Sequence, residues 1–200
     1  MVRHAVFLGD SFTAGQGDPS GLGYVGRVAQ AAEARGDEWR VTNLGVGGAT
    51  SEALALHWEV AVWARLLPGE QARLVVGIGA NDTTPLLGGG SWVDHDTSVA
   101  SFTAMLDRAG ELGLPVFALG PGPAGRPEHD ARSLRLEQAY GAACGARRVP
   151  FVPILEPLLT SEAWRREADA HDGLHPGASG YARLAELAIA GGLLDWLAAD

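Results

Sequence analysis

Serine, histidine and aspartate, the residue types of a nucleophilic catalytic group, occur in two short segments at opposite ends of the chain. Ser11 stands in Gly-Asp-Ser-Phe at 9–12, and Asp172 and His175 stand in Asp-Gly-Leu-His-Pro at 172–176. A serine hydroxyl is a poor nucleophile unless a base takes its proton, and His175 can be that base. Asp172 can hydrogen-bond the other imidazole nitrogen and fix the tautomer. These three residues therefore indicate attack by an activated serine on an acyl group.

Two further polar segments offer hydrogen-bond donors for the oxyanion that such an attack creates. One is Asn-Leu-Gly-Val-Gly-Gly-Ala-Thr at 43–50, in which the absent side chain of Gly48 allows a ligand close to the backbone. The other is Gly-Ala-Asn-Asp at 79–82. We expect the donors to be the N–H groups of Ser11 and Gly48 and the Asn81 amide. Asp82 is expected to act as a cap and to have no catalytic role.

The elements that must position these residues alternate regularly between short apolar strands and helices. Strict alternation predicts right-handed βαβ units and a parallel sheet covered on both faces, an α/β fold with about five parallel strands. In that sheet the segments that follow the first three strands meet at one edge, and the last segment folds over them. The predicted strands are 5–9, 40–44, 74–79, 115–119 and 149–152, and the helices are 24–35, 52–67, 97–112, 131–144 and 178–197.

One helix and two loops carry apolar residues whose placement can be predicted. In helix 52–67 a set of large apolar residues recurs at helical spacing, which predicts an inward face: Leu56, Val60, Trp63 and Leu67. The loops 83–96 and 120–130 both follow strands, so both should border the site. Residues near the site that could line an acyl pocket are Phe12, Leu86, Leu87 and Trp92.

Length, composition and charge narrow the class of protein. The 200 residues, 46% hydrophobic and 20% charged, are typical of one globular domain over 1–200. The net charge of −9 argues against a nucleic acid as partner. All 15 basic residues are arginine, and the missing lysine excludes Schiff-base chemistry and a Walker P-loop. The oligomeric state is not readable from the sequence.

Targeting and redox signals are few. The sequence has no run of 18 apolar residues and no signal-peptide core, so we expect no membrane span and a cytoplasmic location. The one cysteine, Cys144, rules out an internal disulfide framework or a site built from several cysteines, and we expect it to be a packed helix residue.

Taken together, the four segments resemble the SGNH (GDSL-type) hydrolase superfamily, from the GDS at residue 9 to the DGLHP at residue 172. The opening GDSFTAGQGD is similar to that of intracellular actinobacterial members, although Phe12 stands where the motif has leucine. The resemblance implies a three-layer α/β/α sandwich with flavodoxin-like strand order. It also implies that Ser11 is the nucleophile and that Gly48 and Asn81 are oxyanion donors. Asp172 and His175 would then be the aspartate and histidine of the catalytic group.

The resulting prediction is a serine esterase or acylhydrolase that cleaves a small carboxylic ester, with a short acyl or acetyl group preferred, and that needs no cofactor or metal. A thioesterase, a lysophospholipase and an acyltransferase remain open on the same site. A metallohydrolase built on His171 and His175 is a remote alternative, because Gly173 and Pro176 argue against the helix that would align both rings. A flavodoxin-like binding module without a reaction is the other alternative.

Overall fold

A five-stranded parallel sheet forms the centre of the computed structural model, which describes residues 3–199. Its strand order is β2-β1-β3-β4-β5, and β1 pairs with β2 on one side and with β3 on the other. The predicted parallel α/β sheet is confirmed, and its order is the flavodoxin-like one. The strands are β1 (Arg3–Gly9), β2 (Trp39–Gly45), β3 (Gln71–Gly77), β4 (Val116–Leu119) and β5 (Phe151–Val152).

Helices cover both faces of this sheet, as expected for strands that are apolar on both sides. Ala5 and Phe7 of β1 face one apolar core, whereas Val6 and Leu8 face the other. Within residues 3–199, no helix has both the length and the hydrophobicity needed to cross a membrane. The helices are α1 (Ser11–Ala14), α2 (Gly23–Ala34), α3 (Ser51–Trp63), α4 (His95–Glu111), α5 (Pro127–Arg147), α6 (Leu155–Leu159), α7 (Glu162–Asp169), α8 (Ala178–Ala190) and α9 (Leu193–Ala198).

The three layers follow from this distribution. Helices α2, α6, α7, α8 and α9 pack in the first core, and α3, α4 and α5 pack in the second. Cys144 is fully buried on α5 in the second core, which confirms its prediction as a packed helix residue.

The carboxyl ends of β1, β2 and β3 lie level with one another, which is the feature of the fold that matters most for the site. Gly9 aligns with Gly45 of β2 and with Gly77 of β3. A β-carbon added to Gly9 would lie 2.1 Å from the Gly77 carbonyl oxygen, and one added to Gly45 would lie 2.2 Å from the Ala14 nitrogen. Glycine at both positions therefore lets the turn after β1 sit tightly against its neighbours. In such sheets, ligands bind outside the carboxyl ends, where the strand order reverses.

Helix α3 differs from its prediction in the face that it buries. Its inward residues are Leu54, Trp58 and Val62. The four residues predicted to face inward are instead exposed by 73, 75, 48 and 60%: Leu56, Val60, Trp63 and Leu67. That prediction is wrong because α3 is apolar on both sides, so residues at helical spacing occur on each face and periodicity does not choose between them.

The carboxyl-terminal third contains more helices than predicted. The single helix expected over 178–197 is divided into α8 and α9 at Gly191 and Gly192, and Gly192 adopts a left-handed φ of 93°. Two short helices, α6 and α7, lie between β5 and the segment that contains Asp172. Each is shorter than three turns, a length over which helical periodicity gives little signal.

Candidate active site

Ser11, His175 and Asp172 form a continuous chain of hydrogen bonds at the carboxyl edge of the sheet. His175 Nε2 lies 2.8 Å from Ser11 Oγ, and His175 Nδ1 lies 2.6 Å from Asp172 Oδ2. A carboxylate only accepts hydrogen bonds, so Nδ1 carries the imidazole proton and Nε2 is free to accept from the serine hydroxyl. This arrangement allows His175 to take the serine proton while the carboxylate stabilises the resulting imidazolium.

Local backbone contacts hold Asp172 as a carboxylate. Its Oδ1 accepts hydrogen bonds from the N–H groups of Leu174 at 2.9 Å and His175 at 2.8 Å. Partial burial acts to raise the pKa of Asp172. These two N–H groups and the His175 ring outweigh it, and the pKa lies well below its usual range. Asp172 therefore stays ionised and keeps accepting the Nδ1 proton.

The turn that presents Ser11 depends on the buried residue before it. Asp10 is the N-cap of α1, and its Oδ1 accepts a hydrogen bond from the Phe12 N–H at 3.0 Å. The short aspartate side chain therefore holds the nucleophile turn as a helix N-cap. Burial raises the pKa of Asp10 to about 7, and the nearby Asp82 carboxylate acts in the same direction against the backbone N–H groups.

Gly48 lies in an exposed loop tied to the end of β1. The Val46 N–H donates to the Gly9 carbonyl at 2.9 Å, and the Ala49 N–H donates to the Val46 carbonyl at 3.0 Å. Gly48 has a φ of 77°, in the left-handed region that favours glycine, and a β-carbon there would meet only open space. The loop is therefore fixed at both ends, and its backbone at Gly48 is open to a ligand.

Asn81 and Asp82 connect the end of β3 to this loop. The Asn81 Nδ2 group donates to the Ala49 carbonyl at 2.9 Å. Both oxygens of the buried Asp82 accept from the Ser51 N–H, at 3.0 and 3.2 Å, and the Ser51 hydroxyl donates to Asp82 Oδ1. Asp82 thus accepts the first N–H group of helix α3 from another loop, which agrees with its expected role as a cap. No sequence signal could reveal this contact, because it joins residues 31 positions apart.

Another link that sequence reasoning missed joins the nucleophile turn to helix α8. The Tyr181 hydroxyl donates to the Gln16 carbonyl at 2.6 Å, and the Gln16 N–H donates to the Ser11 carbonyl at 3.0 Å. Gly17 follows with a φ of 90°, and a β-carbon there would lie 2.7 Å from the Pro176 carbonyl oxygen and 3.0 Å from the His175 β-carbon. The turn after Ser11 thus packs directly on the histidine segment.

The residues predicted to line an acyl pocket are found in two environments. Phe12 is buried, with its ring centroid 5.3 Å from that of His175 and 5.5 Å from that of Trp164. The other three are exposed on the segment 84–92: Leu86, Leu87 and Trp92. Phe12 therefore belongs to the core beside His175, and contact of the other three with a substrate stays a prediction.

The base of the segment 84–92 is closed by backbone hydrogen bonds. The Trp92 N–H donates to the Thr84 carbonyl at 3.1 Å, and the Val93 N–H donates to the Asp82 carbonyl at 3.1 Å. The segment thus leaves the site next to Asn81 and returns to the same place.

The histidine pair considered for a metal has Asp172 near both rings. His171 is exposed, and its Nδ1 lies 3.8 Å from the Asp172 Oδ2 that also accepts from His175. In the part of the chain that the structure describes, no three histidine, cysteine, aspartate or glutamate side chains are grouped so that they could hold a metal ion.

Comparison with known proteins gives one family match and several similar solved structures. The model of the GDSL-like lipase/acylhydrolase family matches residues 7–183. No curated protein sequence matches the chain. Among solved structures, the acetylxylan esterase Axe2 from Geobacillus stearothermophilus is similar at 22% identity, with a TM-score of 0.76, over 94% of this chain and 93% of that one.

Two other solved structures are similar over comparable lengths. TesA has 22% identity and a TM-score of 0.75 over 96% of this chain and 99% of its own. A lipase/acylhydrolase from Enterococcus faecalis has 25% identity and a TM-score of 0.74 over 94% of each chain. These neighbours share the three-layer fold of the chain.

Proposed function

The chain belongs to the GDSL-like lipase/acylhydrolase family and is an ester-hydrolysing enzyme, and from this premise we propose that Ser11, His175 and Asp172 are its catalytic residues. The observation that carries the proposal is the chain of two hydrogen bonds, 2.8 and 2.6 Å long, that joins Ser11 Oγ to His175 and His175 to Asp172. Ser11 and His175 are both buried although they are 164 positions apart, and a serine, histidine and carboxylate joined in this way form the arrangement that activates a serine.

In the proposed reaction, Ser11 Oγ attacks the acyl carbon of the ester while His175 Nε2 takes the hydroxyl proton. The tetrahedral intermediate collapses as the same nitrogen returns that proton to the departing alkoxide, which leaves as an alcohol. Water then attacks the acyl-enzyme with His175 again as base, and the carboxylic acid is released together with free Ser11. Asp172 stays a carboxylate throughout and holds the imidazole in one tautomer.

The oxyanion of each tetrahedral intermediate is held, in this proposal, by three donors from three segments. They are the N–H groups of Ser11 and Gly48 and one hydrogen of the Asn81 amide. The first N–H groups of a helix lack intrahelical acceptors, so the Ser11 N–H at the start of α1 is available. The other amide hydrogen of Asn81 goes to the Ala49 carbonyl, which fixes the orientation of the group. Donors held in place before reaction are the most effective.

The substrate proposed is a carboxylic ester with a short acyl group. Behind the nucleophile turn, the cavity lined by Asp10, Phe12 and Thr13 is only about 10 Å³, and the Phe12 ring at its wall packs against Trp164. This cavity is therefore too small to hold a long acyl chain. The similar Axe2 is named as an acetylxylan esterase, which is in keeping with an acetyl group.

A longer acyl chain is the second candidate, because of one specific observation. Leu86, Leu87 and Trp92 expose apolar side chains on the segment that leaves the site beside Asn81. If they hold the substrate, the enzyme acts on lipid-like esters or thioesters. A p-nitrophenyl ester series from acetate to decanoate separates the candidates. For the short-chain proposal, kcat/KM falls steadily beyond butyrate, and a rise towards decanoate contradicts it.

The catalytic assignment is tested by intact-mass analysis after treatment with a fluorophosphonate. We expect one adduct on the wild-type chain, mapped to Ser11, and none on the Ser11→Ala variant. Ser179→Ala, which removes an exposed hydroxyl on α8, is the matched control and should label like the wild type. A folded protein that takes no adduct would contradict the proposal.

A further inference from the structure

Helix α3 carries an exposed apolar stripe that the ester-cleaving site does not use. Leu56, Val60 and Trp63 lie on one helical face at spacings of four and three residues, with 73, 75 and 48% of their surfaces exposed. Leu67, in the turn that follows, is 60% exposed. We call these four residues the α3 stripe. Since the opposite face of α3 is buried in the core, the helix is apolar on both sides, which is typical of helices covered on both sides.

The acidic residues of α3 lie at the edge and at the start of this stripe. Glu59 is engaged by the Arg108 guanidinium of α4, at 2.9 and 3.0 Å, and it also interacts with the Trp63 side chain, so it lies at the edge of the stripe that faces α4. Glu52 lies at the start of the helix. Small residues lie beside the stripe residues, with Ala53 before Leu56 and Ala64 directly after Trp63. Because Glu59 is paired with Arg108, a second helix could approach closely without burying an unpaired charge.

We propose that two copies of this chain associate through the α3 stripe, with the two helices antiparallel about a two-fold axis near Val60. The stripe suits such self-association because Leu56 and Trp63 lie four residues before and three residues after Val60. In the antiparallel arrangement, Leu56 of one copy therefore meets the partner subunit's Trp63, and the two Val60 side chains meet at the axis. Interfaces with two-fold symmetry require this kind of self-complementary surface.

The area of the stripe fits an interface between two copies. Its side chains each expose on the order of 100 Å² of surface, so the stripe alone supplies about 400 Å² per copy. Both copies bury the same patch, which gives about 800 Å² in total before the flanking residues are added. A specific interface needs about 1,000 Å², so flanking residues such as Ala53, His57 and Ala64 must supply only the remainder.

An anionic lipid surface is a poorer fit for this stripe. The chain has a net charge of −9 and no lysine, and attraction to such surfaces depends on clustered basic residues. A second copy needs only apolar contact and a symmetric arrangement, both of which the stripe offers.

Sedimentation equilibrium between 1 and 100 μM tests the proposal. We expect the wild type to have the mass of two chains and Val60→Glu, which places two carboxylates at the axis, to have the mass of one. Leu87→Glu makes the same apolar-to-acidic change at a fully exposed loop position and should keep the wild-type mass. A wild type that is monomeric at 100 μM, or dissociation caused by Leu87→Glu instead of Val60→Glu, would overturn the proposal.

Cross-linking tests the same proposal without disrupting the association of the two copies. The natural Cys144 is buried, and burial raises the pKa of its thiol to about 12, so it reacts poorly with maleimides. A short bismaleimide should link two copies of Val60→Cys at the axis. Ala104→Cys, on the exposed side of α4, is the matched control and should remain single. Equal cross-linking of the two variants, or none of Val60→Cys, would contradict the two-fold arrangement.

Discussion

Gly17→Ala is expected to displace His175 from Ser11 and so to lower kcat by about 10²-fold. The added β-carbon would lie 2.7 Å from the Pro176 carbonyl oxygen, where ordinary contacts begin at 3.4 Å. It would also lie 3.0 Å from the His175 β-carbon, so the histidine segment must move by several tenths of an ångström. The bond from Ser11 Oγ to His175 Nε2 is only 2.8 Å long and stretches with that movement. A displacement approaching 1 Å in a catalytic group costs about 10²-fold in rate.

The experiment compares Gly17→Ala with Gly21→Ala in steady-state hydrolysis of p-nitrophenyl acetate and in urea unfolding. Gly21 has a φ of 70°, and a β-carbon there meets open space, whereas Gly17 has a φ of 90° and a crowded environment. In both variants, alanine in the left-handed region should lower the free energy of unfolding by about 1–2 kcal/mol. Only Gly17→Ala should lose kcat, with KM nearly unchanged. Equal kcat losses in the two variants, or a fully active Gly17→Ala, would refute the reasoning.

Three further predictions concern the residues around the nucleophile. Asn81→Ala should lower kcat by roughly 10²–10³-fold with little change in KM, and an unchanged kcat would exclude the Asn81 amide as an oxyanion donor. Asp172→Asn should slow labelling by a fluorophosphonate by about 10³-fold or more, because an amide no longer fixes the imidazole tautomer; labelling at the wild-type rate would contradict this role. Asp10 keeps its proton in the folded chain up to about pH 7, whereas the unfolded chain releases it near the ordinary pKa of 3.8. The wild type therefore loses stability as the pH rises from about 4 to 7, and Asp10→Asn removes that loss. Urea unfolding should show the variant gaining up to about 4 kcal/mol relative to wild type between pH 4 and pH 8, with the exposed Asp169→Asn as control; a difference that is the same at both pH values would contradict it.

The fold and the convergence of the polar segments could be predicted because both depend on local patterns. Continuous apolar strands that alternate with helices lead to a parallel sheet, and in such a sheet the residues that follow β1 and β3 lie close together. The structure brings Ser11, His175 and Asp172 within hydrogen-bond distance, and Asn81 reaches the Gly48 loop through Ala49.

The remaining features depend on contacts between distant residues and could not be read from the sequence. Periodicity does not identify the outward face of α3, because Val60 and Val62 are equally apolar and only packing against the sheet decides which is buried. The bond of Asp82 to Ser51 and that of Tyr181 to Gln16 each join separate loops or helices. The buried position of Phe12 likewise depends on Trp164, which lies on a helix that periodicity did not predict.

The closed base of the segment 84–92 separates the machinery of the reaction from the part of the chain that can vary. Thr84 and Trp92 are joined to each other, and Val93 is joined to Asp82, so the ends of the segment stay fixed whatever lies between them. Asn81 and Asp82 are held independently, through Ala49 and Ser51. The sequence of residues 85–91 can therefore change, and with it the surface offered to a substrate, while the proposed oxyanion donors keep their positions. Selection in nature and libraries in the laboratory can both use this separation to alter substrate range at little cost to catalysis.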